Sequence, residues 1–426
     1  MHKNYKKALI LLRIIFEGEK MRRVVITGFG AYTPIGNTEK EIKESFYQGK
    51  SGTVFIPEWK EIKGLQSFVA GTVKNFDEKI LDRKLRRSMG KLSMMTTSAA
   101  KIAIEDSGLS EDILHSGRMG CAAASTIGSP KAYEDFFYEL LINKSIEQIP
   151  SMTFLKLMNH TTVANIATPL GIKGRVFSPS SACTSSSQSI GMSYEAIKYG
   201  LQDVMVAGGA EELHYTTVSV FDIMDVACRT ANETPEKASQ PFDKNRGGVV
   251  VGEGAGMVIL EEYEHAKARG AKIYGEIIGF SSLCDGYHLS TPSSEGMEAT
   301  MRAALANAGI KEQDVDYINM HATATHTGDI AESAATKAVF GNKTPVSATK
   351  SYTGHTLGAS GVHEFIYSLF MMQDNKIYPT INLEELDPEC ADVNMITELT
   401  DKELNTVMTN NFAFGGINTS IIIKKI

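Results

Sequence analysis

From Met21 onward the chain alternates between two hydrophobic periods. Short β-branched, apolar runs at Arg23–Gly28, Asp203–Ala207, Gly256–Leu260, Lys272–Phe280, Asp316–Met320 and Pro345–Ala348 have the length and composition of buried strands. Between them, apolar positions recur every three or four residues. In Leu92–Asp106 this places Leu92, Met95, Ala99 and Ile102 on one helical face. The same reading predicts helices over Ser185–Tyr199, Glu261–Ala268, Ser294–Ala308 and Gly358–Asp374. Strands alternating with helices through glycine-rich junctions predict an α/β fold.

Two of these helices lack a charged face in their first turns. Ser180-Ser-Ala-Cys-Thr-Ser-Ser-Ser-Gln-Ser-Ile-Gly runs into one, and Gly354-His-Thr-Leu-Gly-Ala-Ser-Gly into the other. Small residues permit close backbone approach, so both read as buried central helices, one in each of two matching halves. The turn at 268–271 is the expected boundary, giving halves over 21–270 and 271–426.

Residues 1–20 follow a different pattern. Lys3, Lys6, Lys7, Arg13 and Lys20 outnumber Glu17 and Glu19 and flank apolar stretches at 8–12 and 14–16. Arg13 interrupts the apolar core a signal peptide needs, and no small-residue cleavage site follows. One reading is an N-terminal extension forming a surface-lying amphipathic helix. The simpler one is a start assigned too early, because Met21-Arg-Arg-Val-Val-Ile-Thr-Gly opens a buried strand by itself.

Composition narrows the function classes. The 426 residues are 42% hydrophobic and 22% charged, which suits a folded enzyme and not a disordered chain. The net charge of −7 disfavours nucleic acid as the main partner. No apolar run reaches the ~18 residues a membrane span requires. Cysteines at 121, 183, 228, 284 and 390 form no CxxC pair, so neither a disulfide scaffold nor a structural zinc site is expected. This points to a reducing compartment, the cytoplasm. No metal-ligand spacing such as HExxH occurs. The glycine run at 247–256 lacks the strand-before, helix-after context of a phosphate loop and reads as structural. No metal and no cofactor are expected.

Candidate chemistry centres on three residues. Cys183 lies among hydroxyl residues at the start of a helix, where N–H groups and the macrodipole favour a thiolate; a buried inert thiol is the plainer alternative. His321 follows a predicted strand at its C-terminal end, where α/β proteins place their sites. His355 opens the second small-residue helix. If the halves match, both helix openings face one pocket and bring thiol and imidazole together. Lys350 would add positive charge, with Glu332 and Asp329 one helical turn apart as possible partners. Asn411-Phe-Ala-Phe-Gly-Gly-Ile-Asn reads as a hairpin turn or as a mobile loop presenting Phe414 to a pocket.

These motifs together resemble the bacterial β-ketoacyl-ACP synthases, elongating condensing enzymes with a thiolase-like fold of two related α/β halves in αβαβα layers. The resemblance runs from Met21 to Ile426 and rests on Ser-Ser-Ala-Cys183, His321-x-Thr-x-Thr, Gly328-Asp329, Lys350-x-x-x-Gly-His355 and Phe412-x-Phe414-Gly-Gly. Thr234-Pro-Glu-Lys-Ala-Ser, Gly361-Val-x-Glu and Ile381-Asn-Leu-Glu-Glu-Leu-Asp also look like its type I branch. It implies that Cys183 takes an acyl group from acyl carrier protein, and that His321 and His355 donate to the enolate left when malonyl-ACP loses CO2. Backbone N–H groups of Cys183 and Phe414 would form the oxyanion hole, in a gating loop with Gly415. Lys350 with Glu332 would hold the second imidazole, and Asp329 would support the strand end. Ile127 falls where the family has a residue deep in the acyl pocket. Arg83, Lys84 and Arg87, in the basic run 79–91, match the carrier-docking stretch. A homodimer, or a heterodimer with a related subunit, is implied.

Three departures stand out. Ala322, Ala413 and Ile417 replace the usual glycine, glycine and threonine, which predicts altered loop paths and a narrowed acyl pocket. Two rivals share the fold. A thiolase would need a second cysteine in a Cys-x-Gly context near the C-terminus, where Phe414-Gly-Gly stands. A non-catalytic chain-length partner subunit usually lacks the cysteine, which Cys183 supplies here.

Overall fold

The computed structural model describes residues 21–426. Both readings of residues 1–20 therefore lie outside the described residues. Eleven strands form the central sheet: β1 (Val24–Tyr32), β2 (Met119–Ala124), β3 (Val176–Phe177), β4 (Val204–Glu211), β5 (Gly254–Glu262), β6 (Gly275–Cys284), β7 (Tyr317–Asn319), β8 (Pro345–Ser347), β9 (Asn394–Met395), β10 (Thr406–Ala413) and β11 (Ile417–Lys424). Their order is β9-β8-β7-β10-β11-β6-β1-β5-β4-β2-β3.

That order contains one pattern twice. The first half runs β1-β5-β4-β2-β3, and the second runs β6-β11-β10-β7-β8. In both, the first two pairings are antiparallel and the last two parallel. β9 adds a parallel edge to β8. Antiparallel pairing of β1 with β6 over Val24–Ile26 joins the halves. All residues of β1 and β4 are buried, as expected where both faces of a sheet are covered.

Helices complete five layers. α1 (Lys91–Ser107) and α2 (Thr161–Ala167) cover the outside of the first half; α4 (Ser294–Ala308) and α5 (His326–Phe340) cover the second. Between the halves lie α3 (Ser185–Lys198) and α6 (Ser360–Asp374), touching each other and strands of both halves. Every residue of α6 from Ser360 to Met372 is buried, which explains the missing polar face. Close approach of the two helices needs Gly361, whose Cβ would sit 2.8 Å from the Cβ of Ser187.

Several element boundaries differ from expectation: β1 runs on to Tyr32, β4 to Glu211 and β5 over Gly254–Glu262, each longer than its apolar run. The predicted helix from Glu261 starts at Tyr263, because Glu261 stays in β5 with its buried carboxylate held by Thr27, His265 and Arg269. β6 begins at Gly275, not Lys272, and runs on to Cys284. A 3₁₀ turn at Leu357–Ala359 precedes α6, which starts at Ser360.

Candidate active site

Matching turns at the ends of the two central helices face each other. Cys183 lies in the 3₁₀ turn Ala182–Thr184 that feeds α3, and His355 precedes the turn that feeds α6. The Sγ of Cys183 is 2.9 Å from Nε2 of His355, whose Nδ1 is 2.9 Å from the Ser360 hydroxyl. His321 follows β7, and its ring stands edge-on to His355 with centroids 5.2 Å apart. The glycine run at 247–256 backs this arrangement: His355 N–H donates to Val250 O at 2.7 Å, and Gly252 N–H donates to His355 O at 2.9 Å.

Each of the three residues lies within two positions of a non-glycine residue in the left-handed region: Ala182 at φ +50°, Ala322 at +34° and Leu357 at +46°. Such backbone costs about 1–3 kcal/mol per residue and persists only where neighbours hold it. Ser185 Oγ accepts from Ser181 N–H and donates to Ala182 O, at 3.0 and 2.7 Å. The Glu332 carboxylate accepts from the N–H of His321 at 2.7 Å and of Ala322 at 2.6 Å. Ala322 is thus held in strained backbone. Ala413 is not, being the last residue of β10 and paired with Ile417.

Lys350 sits beneath His321. Its buried Nζ pairs with Glu364, donates to His321 O at 2.6 Å and lies 3.1 Å from His321 Nδ1. Asn411 Nδ2 donates to Glu364 Oε2 at 2.6 Å and lies 3.4 Å from the same Nδ1. Two N–H donors at Nδ1 make it an acceptor and put the ring proton on Nε2, which leaves a donor for the cavity. The expected pairing of Lys350 with Glu332 around the second imidazole is thus corrected to Lys350 with Glu364 around the first. Glu332 is occupied by backbone N–H groups, whereas α6 aims Glu364 at the lysine. Asp329 accepts from Phe242 and Ala324 N–H at 2.8 and 3.2 Å, contacts that hold the chain beyond β7.

Burial and the nearby Lys350 charge hold His321 and His355 well below the usual imidazole range, so both are neutral. Burial also pushes the Cys183 thiol up to about 12, against the downward pull of Lys350. The expected resting thiolate is corrected accordingly. Cys183 precedes Thr184, the residue capping α3, in a turn where desolvation outweighs the helix field. Burial likewise raises Glu332 to about 8 and Asp329 to about 7.

One sulfur or nitrogen of each of Cys183, His321 and His355 lies within 4.8 Å of the others. A tetrahedral ion would need a lone pair on His321 Nε2, and the hydrogen bonds at Nδ1 put a proton there instead. These residues fit a donor-and-nucleophile site, not a metal centre.

The trio opens on a cavity of about 210 Å³ whose walls include Phe221, Met224, Leu289, Met297, Phe412 and Phe414. Phe414 caps the β10–β11 hairpin and stacks on Phe221 at 6.1 Å. Gly415 N–H donates to Leu289 O at 2.7 Å, which ties the hairpin to a cavity wall and leaves Gly415 no spare donor. Ile127 does not reach this cavity. The turn after β2 carries it outward, where it is 41% exposed beside Pro130, Tyr133, Phe137 and Tyr215. Arg83, Lys84 and Arg87 are exposed on and beside the short helix Arg83–Arg86, while Arg86 and Lys91 of the same basic run are taken up by Glu78 and Glu253. Glu364, Asn411 and Ser360 had no role assigned from the sequence. A carboxylate five residues into a largely apolar helix was the available signal for Glu364.

Residues 21–266 match the family model for the β-ketoacyl synthase N-terminal domain, and residues 274–384 match that for its C-terminal domain. The chain is 43% identical over 407 residues to 3-oxoacyl-[acyl-carrier-protein] synthase 1 of Haemophilus influenzae, covering 95% of this chain and 99% of that protein. It is 42% identical over 409 residues to the Escherichia coli protein of the same name, covering 95% and 100%. Among solved structures, a β-ketoacyl synthase from Burkholderia phymatum superposes with a TM-score of 0.93 at 42% identity, covering 95% of this chain and 100% of that one.

Proposed function

The chain belongs to the β-ketoacyl synthase family, and from that premise we propose that it extends acyl chains by decarboxylative condensation on an acyl carrier protein. In the first step Cys183 attacks the thioester carbonyl of an acyl carrier, and its proton passes to His355 Nε2. The new carbon–sulfur bond forms as the carrier's sulfur leaves, taking the proton back. In the second step malonyl carrier loses CO2, and the electrons of the broken carbon–carbon bond become an enolate. Nε2–H of His321 donates to its oxygen. The enolate carbon attacks the acyl–Cys183 carbonyl, and the Cys183 sulfur leaves as a thiolate that takes a proton from solvent to restore the thiol. The product is a 3-oxoacyl carrier with two more carbons.

The observation that carries this reading is the 2.9 Å contact of Cys183 with His355 beside a second imidazole whose proton faces the same cavity. The test is incubation with acyl-ACP and malonyl-ACP, reading the product by mass and CO2 by release. A Cys183→Ala variant is expected to form no acyl-enzyme and no 3-oxoacyl product.

The same reading assigns carrier docking to Arg83, Lys84 and Arg87, and the cavity mouth to Phe414 and Gly415. Ala322 and Ala413 both line the cavity, which supports an acyl site narrower than glycine at those positions would leave. The repeated strand order supports a division into units 21–270 and 271–426. A homodimer is supported by the exposed sheet edge at β3, where Val176 is 44% exposed, and by the apolar surface around Ile127 and Phe137. A cytoplasmic location is supported by five unpaired cysteines. Among the described residues no helix is long and apolar enough to cross a membrane.

A further inference from the structure

Glu211 is the last residue of β4 and is completely buried. One of its oxygens, Oε2, accepts two backbone N–H groups from opposite halves of the chain: Thr126 at 3.0 Å and Gly358 at 2.9 Å. Gly358 directly follows the strained Leu357, in the turn that joins His355 to α6. Thr126 belongs to the turn after β2, and the preceding residue, Ser125, accepts from the hydroxyl of Ser180 at 3.0 Å. Ser180 stands three residues before Cys183. The carboxylate therefore lies where the segment bearing the nucleophile and the segment bearing the imidazole are tied together.

The packing leaves no slack at this crossing. A Cβ on Gly358 would fall 2.8 Å from Glu211 Oε2 and 2.8 Å from Thr126 N. A Cβ on Gly209 would fall 2.6 Å from Ala124 O and 3.0 Å from Gly358 O. The other carboxylate oxygen, Oε1, is buried with no hydrogen-bond partner. A half-satisfied buried carboxylate is a poor device for stability alone, since an apolar side chain would avoid its desolvation.

From this geometry we infer that Glu211 is a positioning residue for the condensation, clamping the Gly358 turn to the Thr126 turn so that His355 Nε2 is held against Cys183 Sγ. It touches no reacting atom and acts through those two backbone groups. Burial raises its carboxyl to about 7, and its charge in turn pushes the Cys183 thiol upward. A purely electrostatic role is therefore the alternative, and it makes the opposite forecast for two variants.

Glu211→Gln keeps an acceptor of the same reach and loses the charge. Glu211→Asp keeps the charge and loses the reach. The readouts in the full-length protein are the rate of Cys183 alkylation by iodoacetamide near neutral pH and the condensation kinetics. Clamping predicts that Glu211→Gln alkylates at or above the wild-type rate and retains kcat. It predicts that Glu211→Asp alkylates more slowly and loses about tenfold or more in kcat, with KM for acyl-ACP within about twofold. Amide exchange at Gly358 should accelerate in Glu211→Asp only. A wild-type rate for Glu211→Asp overturns the inference, as does faster alkylation in Glu211→Gln accompanied by lost kcat. The inference rests on the condensation reading, but its alkylation arm does not: a wild type that releases no CO2 from malonyl-ACP would sink the reading, while the contrast between the two variants would still decide the clamp.

Discussion

Lys350 and His321 meet through a single nitrogen: the lysine Nζ lies 3.1 Å from the imidazole Nδ1 and also donates to the His321 carbonyl at 2.6 Å. A cation at Nδ1 does two things that a carboxylate there would not. It keeps the ring from taking a second proton, and it turns the one remaining proton toward the cavity. His321 is thereby built as a neutral donor to developing negative charge.

Removing the lysine tests this directly. Lys350→Ala is expected to raise the His321 pKa, because burial, the Lys350 charge and the neighbouring His355 all hold it down and the variant removes the second of these. Malonyl decarboxylation should fall by about 10²-fold or more. Leaving Glu364 buried and unpaired should also destabilise the protein by about 3–5 kcal/mol. The double variant Lys350→Ala/Glu364→Gln should regain much of that stability in urea unfolding without regaining decarboxylation. Recovery of both would show that Lys350 serves stability alone.

The buried thiol sets a pH signature. With Cys183 at about 12, its alkylation rate should keep climbing from neutral pH through about pH 10, without the plateau of a low-pKa thiolate. The folded pKa lies above the unfolded one, so this group's contribution to stability is complete below about pH 8.5 and is lost as pH rises toward the folded value. Cys183→Ala should accordingly lose less stability than wild type between neutral pH and about pH 10. A rate plateau below about pH 9 would contradict the buried, protonated thiol.

Ala322 stores strain that Glu332 restrains. Ala322→Gly should stabilise the fold by up to about 1 kcal/mol, the relief at φ +34° being partly offset by glycine's greater freedom when unfolded. At a pH above about 8, where Glu332 is ionised, Glu332→Gln should cost about 1–3 kcal/mol, because the amide nitrogen must face one of two backbone N–H donors. Urea denaturation reads both. Equal stability of Glu332→Gln and wild type would remove the carboxylate from its assigned place.

Carrier docking is tested by charge reversal. Arg87→Glu should raise KM for acyl-ACP several-fold and flatten the salt dependence of kcat/KM, while turnover of a small acyl thioester stays unchanged. A loss confined to the small thioester would exclude docking at this surface.

Much of the molecule was legible along the chain. Strands and helices followed from apolar spacing, and two helices with small-residue openings and no polar face marked the buried centre of each half. Cys183, His321 and His355 stood out because each sits at the end of such an element. These signals are local: period, cap and composition act over a few residues and survive without knowledge of the rest of the fold.

Three matters belonged to tertiary structure alone. Lys350 had carboxylates 14 and 18 residues away at Glu364 and Glu332, and chain spacing does not choose between them. Packing did, by spending Glu332 on the N–H groups of a strained turn and aiming Glu364 inward from α6. The state of the thiol was likewise undecided, because a helix opening predicts a thiolate and burial predicts a thiol. Ile127 lies within three residues of β2, yet one turn of chain carries it from the core to the surface. In each case the deciding term is desolvation or contact with residues distant in sequence, and such terms exist only once the halves have closed around α3 and α6.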